Sequence, residues 1–257
     1  MTRSVTSPHF KTLFLSGLGL LALTSGCSTL LPKDTQQAQV HLQMATNHFN
    51  QRQYGKAIEE IHETLKIDPE MPAAYNHLAL IYLETRRYEK SMEAFQKALQ
   101  LKPIYPEVFN NIGVLLNRQE KYRQAITYFK RAAEVDSYLT PENALTNMGY
   151  AFYKLGDLDQ ALRSHQKAVD IAPMFCLANK NMGDVYAKKK NYKKAAEYFG
   201  KSVTHCPLYQ EGRYKLALVN MKLGNKRQAK NHFERLIEHH KDGPYVDRSN
   251  EVLKFLR

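Results

Sequence analysis

The sequence predicts an all-α protein built as a solenoid of helix hairpins, and three observations carry that prediction. A pattern of apolar and small residues returns at an interval of 34 residues between positions 38 and 243. Each return contains two apolar stripes at helical spacing separated by a short polar turn, the signature of two antiparallel helices. Finally, a proline follows the second stripe at Pro69, Pro103, Pro173 and Pro207, where its missing N–H stops a helix. With 257 residues, 43% of them hydrophobic, the chain can bury a sizeable core, and the repeat makes that core one continuous solenoid.

Ahead of the repeats lies a segment that reads as an export signal. Arg3 and Lys11 form a short positive region, and Leu13–Leu23 is an apolar run too short to span a bilayer comfortably. The run ends in Leu23-Thr24-Ser25-Gly26-Cys27, which resembles a bacterial lipobox, although Thr24 stands where leucine is usual. That resemblance implies a signal peptide over residues 1–26, lipidation at Cys27 and a tether over 27–37. An ordinary secretory signal, or a buried N-terminal helix, explains less, because the polar stretch Ser28–Gln37 follows the thiol at once. Ser28 follows the cysteine where inner-membrane lipoproteins tend to carry Asp, which implies the outer membrane of a Gram-negative cell, on its periplasmic side. Cleavage would remove Arg3 and Lys11 and no acidic residue, so the mature chain stays strongly basic. Export makes nucleic acid a poor partner despite the net charge of +12.

The six repeats are expected at 38–71, 72–105, 106–139, 142–175, 176–209 and 210–243. Their register is set by a small residue in each first helix: Ala45, Ala79, Gly113, Gly149, Gly183 and Ala217. The second helix answers with Ala57, Ser91, Ala125, Ala161, Ala195 and Ala229, followed one turn later by Ile61, Phe95, Phe129, His165, Phe199 and Phe233. A small residue lets two backbones approach, and a ring fills the space beside them. The third repeat lacks the terminating proline and its interval stretches to 36 residues, with Thr140-Pro141 reading as an N-cap and first helical residue. That longer turn is either a lip on a groove or a neutral insertion. His41 and Arg213 stand where the leading aromatic belongs, as terminal repeats tolerate. Residues 244–257 place Val252, Leu253 and Leu256 on one helical face and read as a capping helix.

The second unit resembles the tetratricopeptide repeat: Tyr75, Leu78, Ala79 and Tyr82 match its leading run, then Tyr88, Phe95, Ala98 and Pro103 follow, with Ser91 replacing the usual alanine. The resemblance implies a right-handed superhelical solenoid of six hairpins with the first helices on the concave face. It puts the second, fifth, ninth and twelfth positions of the units in the groove. These include Asn76, Leu80, Asn110, Val114, Asn117, Asn143, Tyr150, Tyr153, Lys180, Asp184 and Tyr214. Amides and tyrosines among small apolar side chains suit a peptide whose backbone needs hydrogen bonds, and the plainer reading is that several of them solvate a scaffold. A clamp for a peptide carboxylate is set aside, because only Lys180 fits it and Asp184 would repel the ligand.

No catalytic constellation is visible, and neither a cofactor nor a small-molecule substrate is expected. No Gly-rich loop or nucleophile motif occurs, and His239-His240 lacks partners at metal-ligand spacing, so no metal site is assigned. His165 reads as a core ring in place of an aromatic. Cys176 and Cys206 occupy the two ends of the fifth hairpin and are either a disulfide, given an oxidising compartment, or two unpaired apolar residues. The run Lys188–Lys194 is either a solvated turn or a contact for an anionic surface or acidic partner.

Signal peptide, lipobox, tether and six such repeats together resemble the outer-membrane pilotin lipoproteins of type IV pilus systems, the PilF/PilW type. The resemblance implies a protein partner, the secretin subunit, whose outer-membrane localisation and multimer assembly the lipoprotein promotes. Two other roles fit the same architecture: an envelope adaptor recruiting peptidoglycan hydrolases or proteases, and an accessory lipoprotein of barrel assembly.

Overall fold

A computed structural model describes residues 33–256. The expected signal peptide, Cys27 and the first part of the tether lie outside the described residues. Thirteen helices occur among them and no strand. Six antiparallel hairpins succeed one another: α1 (Lys33–Asn50) with α2 (Tyr54–Ile67), α3 (Pro72–Glu84) with α4 (Tyr88–Leu101), and α5 (Pro106–Arg118) with α6 (Tyr122–Ala133). Then follow α7 (Pro141–Leu155) with α8 (Leu158–Ile171), α9 (Cys176–Lys188) with α10 (Tyr192–His205), and α11 (Gln210–Lys222) with α12 (Lys226–His239). The last helix, α13 (Pro244–Phe255), packs on α12 and α11. α1 already starts at Lys33, because the polar residues before position 38 continue its helix. None of these helices is long and apolar enough to cross a membrane.

The small-against-large pairing is what spaces the helices. A side chain added at Gly113, Gly149 or Gly183 would meet the ring of Phe129, His165 or Phe199 at 2.5–2.6 Å, so each glycine exists to admit one ring. Phe95, Phe129, Phe199 and Phe233 are completely or almost completely buried, as are the alanines of both helices. Ser91 keeps the small size of the alanine it replaces and donates its hydroxyl across the hairpin to the Ala79 carbonyl at 2.8 Å. Three different residues at the leading aromatic position make the same bond: Tyr75, Asn179 and Arg213 each donate to the carbonyl of the proline six residues earlier, at 3.1, 3.2 and 2.7 Å.

Each turn inside a hairpin needs one left-handed residue, so that the next N–H can reach back into the first helix. Examples are Arg87 to the Tyr82 carbonyl at 2.8 Å and Asp157 to Phe152 at 3.0 Å. Gly156 and Gly224 supply that conformation at φ 84° and 80°, whereas Arg52, Arg86, Glu120 and Lys190 are forced into it at φ 58–59°. The longer joint between α6 and α7 is packed down by Tyr138, which is buried there against Phe109, Ala132 and Ala144. Pro141 opens α7, but the Thr140 side chain does not cap it.

Candidate functional site

Successive first helices from α1 to α9 pack on one another, while successive second helices make no comparable contact, so the first helices converge on the inner face. On that face the chain builds two kinds of surface. In repeats two to four, asparagines form a ladder: Asn111 donates to the Asn76 side chain at 3.0 Å, and Asn147 donates to that of Asn110 at 3.0 Å. The ladder ties α3, α5 and α7 through neutral amides. Asn76 is consumed by it, being only 7% exposed, and belongs to the packing more than to an open groove. Asn110, Leu80, Val114 and Asn143 are half-buried, and the side-chain oxygen of Asn117 is buried without a hydrogen-bond partner.

The second surface lies between α9 and α11, which approach less closely than the other first helices. Long charged side chains bridge the gap. Lys180 reaches Asp184 at 3.3 Å and Glu211 at 3.2 Å, and Lys215 reaches the same two carboxylates at 2.6 and 3.0 Å. Burial opposes the charge of both Glu211 and Lys215, yet their partners prevail: Glu211 is held below the usual carboxylate range and Lys215 above the usual lysine range. Tyr209 donates its hydroxyl to Glu211 at 3.2 Å, and burial followed by that carboxylate raises its pKa well above the usual tyrosine value, keeping the phenol protonated.

Two cavities share Asp184 and Lys215. One, of about 220 Å3, is polar and lined by Tyr150, Tyr153, His165 and the ion cluster. The other, of about 540 Å3, is mostly apolar and opens between hairpins five and six beside Phe199, Leu218 and Val219. His165 is 1% exposed, and neither ring nitrogen finds a hydrogen-bond partner among the described residues. Burial, reinforced by Lys180, pushes its pKa down to about 3, so the ring is neutral at physiological pH.

The arrangement thus gathers Tyr150, Tyr153, Lys180 and Asp184 into one site and leaves Tyr214 outside it. Tyr214 packs edge-on to Phe233 at 5.7 Å and against Tyr245 at 5.4 Å, holding α13 in place. Sequence reasoning missed Asn111, Asn147 and Lys215, and did not single out Glu211. A signal for the first two was present, because asparagine recurs at the sixth position in repeats three, four and five as Asn111, Asn147 and Asn181. Cys176 and Cys206 form a disulfide with α carbons 6.1 Å apart, closing the ends of α9 and α10. The basic turn is partly occupied within the chain: Lys188 lies over the Tyr153 ring at 4.4 Å and donates to its carbonyl at 3.3 Å, and Lys189 pairs with Asp159 at 2.7 Å.

The chain belongs to the tetratricopeptide-repeat family, whose signatures match residues 42–106, 105–174, 146–207 and 211–243. A comparison with curated proteins finds no match. Among solved structures it is similar to PilW, a type IV pilus biogenesis factor, at TM-score 0.73 and 25% identity over 83% of this chain and 98% of that one. The pilF protein of Pseudomonas aeruginosa superposes at TM-score 0.71 with 16% identity, covering 86% and 99% of the two chains. YrrB, a tetratricopeptide-repeat protein described as having an unusual peptide-binding site, follows at TM-score 0.52 and 22% identity over 70% and 96%. The last two likenesses concern the fold alone. The fold is a protein-interaction scaffold similar to those of type IV pilus biogenesis.

Proposed function

We propose that this chain is a non-enzymatic scaffold, anchored to the outer membrane through a lipid on Cys27, that binds secretin subunits and promotes their localisation and assembly as a type IV pilus pilotin. The observation that carries this reading is the likeness to PilW across 98% of that chain, joined to the lipobox-like sequence ahead of the repeats. The inner face between α7 and α11 is the binding surface. There Tyr150, the ion cluster and the adjoining apolar cleft offer a peptide aromatic contact, charge pairing and a place for an apolar side chain. A partner segment with one charged and one bulky apolar residue matches that sequence of surfaces.

The test is crosslinking in intact cells, isolation of the protein and mass spectrometry of what accompanies it. Secretin subunits are expected to dominate. Peptidoglycan hydrolases, proteases or barrel-assembly components dominating instead would replace the partner and keep the scaffold.

A further inference from the structure

The two edges of the solenoid differ in chemistry, and one of them has no assigned role. In an antiparallel hairpin array every joint between hairpins lies on the edge from which the first helices start. The turns inside hairpins lie on the opposite edge. Four joints each expose one large apolar side chain: Ile104 is 67% exposed, Leu139 89%, Met174 69% and Leu208 66%. Apart from Phe255 near the C-terminus, no other large apolar residue among those described exceeds 60% exposure. The opposite edge carries cations at its turns, including Arg52, Arg86, Lys121 and Lys190.

We infer that the joint edge rests on the membrane, with Ile104, Leu139, Met174 and Leu208 inserted between lipid head groups. α1 also begins on this edge, at Lys33. Cys27 lies six residues upstream, so an acyl chain there would hold that edge within roughly 20 Å of the bilayer, the reach of an extended segment of that length. The inference therefore rests on the anchor proposed above. Lipid is a better occupant than a protein groove for side chains that stand singly on successive turn tips, since a bilayer surface accepts separated apolar tips without a matching shape. The joints carry both signs of charge, Asp68 and Glu70 as well as Lys102 and Lys241, so apolar insertion and not head-group attraction holds the edge. The disulfide between Cys176 and Cys206 fixes two joints side by side and sets Met174 and Leu208 around one apolar depression. A protein seated this way keeps its inner face free for a partner.

The chain contains no tryptophan, so a single one is a clean depth probe. The full-length protein, isolated from membranes as Leu139→Trp or, on the other edge, as Gln119→Trp, is reconstituted in phosphatidylethanolamine–phosphatidylglycerol vesicles containing brominated lipid. Leu139→Trp is expected to show blue-shifted, strongly quenched emission that high salt leaves unchanged, and Gln119→Trp neither effect. Equal quenching at the two positions, or none at Leu139→Trp, overturns the inference. The mass of the isolated protein reads the anchor separately. If Cys27 is unacylated, the anchor fails; the protein is then held by an N-terminal histidine tag on nickel-chelating lipid, and the same two positions still decide the edge.

Discussion

The inner face of repeats two to four and that of repeats five and six are built on the same helical register yet held by opposite means. The first is closed by neutral amides, Asn111 on Asn76 and Asn147 on Asn110. The second is wider and bridged by Lys180, Asp184, Glu211 and Lys215. Small-against-large packing below is the same in both halves, since Gly113 meets Phe129 as Gly183 meets Phe199. The repeat therefore fixes how hairpins stack and leaves the positions on the inner face free to differ. Short amides reach between the closer helices α3, α5 and α7, whereas long ion pairs span the wider gap between α9 and α11, beside which a cleft opens. The disulfide sits in the second half only, where the first helices support one another least.

Removing that support should give the largest effect. Cys176→Ser with Cys206→Ser opens a loop closed over 30 residues and is expected to cost roughly 2–4 kcal/mol by the loop-entropy relation. The loss should appear as earlier urea unfolding and as faster amide exchange in α9 to α12, with α3 to α6 unchanged. Uniform loss along the chain would erase the contrast between the halves.

The polar bridges come next. Lys180→Met leaves Asp184 and Glu211 sharing one cation and should cost about 1–2 kcal/mol, given that the cluster is only partly buried. Asn147→Ala removes one neutral bond and should cost about 1 kcal/mol. Salt separates the two, because 0.5 M salt of about 4 Å screening length should shrink only the charged contribution. Urea titrations at low and high salt measure both.

His165 sharpens the comparison by pH. Its pKa falls from 6.5 in the unfolded chain to about 3 in the fold, so the folded state binds fewer protons over that interval. Stability is then fully present above pH 6.5 and declines as pH falls toward 3. Burial lowers His77 and His232 as well, so the decline is shared. His165→Phe restores the ring found in four of the other repeats and should flatten the decline between pH 6 and 4, measured by thermal unfolding across that range. An unchanged slope would mean that the ring is solvated in the folded state.

The smallest effect expected is a gain. Glu120→Gly relieves a left-handed residue at φ 59° and, after the added chain entropy of glycine, should stabilise by about 0.5–1 kcal/mol in urea titration.

Much of the fold was legible because packing demands recur. A 34-residue period, small residues in fixed register and terminating prolines are each forced by close contact between neighbouring hairpins. The inner face was less legible. Tyr150, Tyr153, Lys180 and Asp184, expected on one face from their positions, line one cavity, whereas Tyr214, expected on the same face, packs on Phe233 and Tyr245, because a ring at the last hairpin can be claimed by whatever covers it. Glu211 stands at the second position of the sixth repeat, where the register already pointed to the groove, but Lys215 at the sixth position escaped notice because long side chains choose partners across a gap whose width sequence does not give. The left-handed turn residues were hidden for a related reason: Gly156 and Gly224 reveal the requirement, while Arg52, Arg86, Glu120 and Lys190 meet it against their own preference.

The central claim, that the inner face of the C-terminal half receives a peptide from the partner, is tested most directly by site-specific photocrosslinking in living cells. A photoreactive residue replaces Tyr150 on the inner face or Lys167 on the exposed side of α8. Peptide mapping of the products should show one contiguous partner segment captured from position 150 and little from position 167. Capture from position 167 alone would place recognition on the outer face and contradict the account.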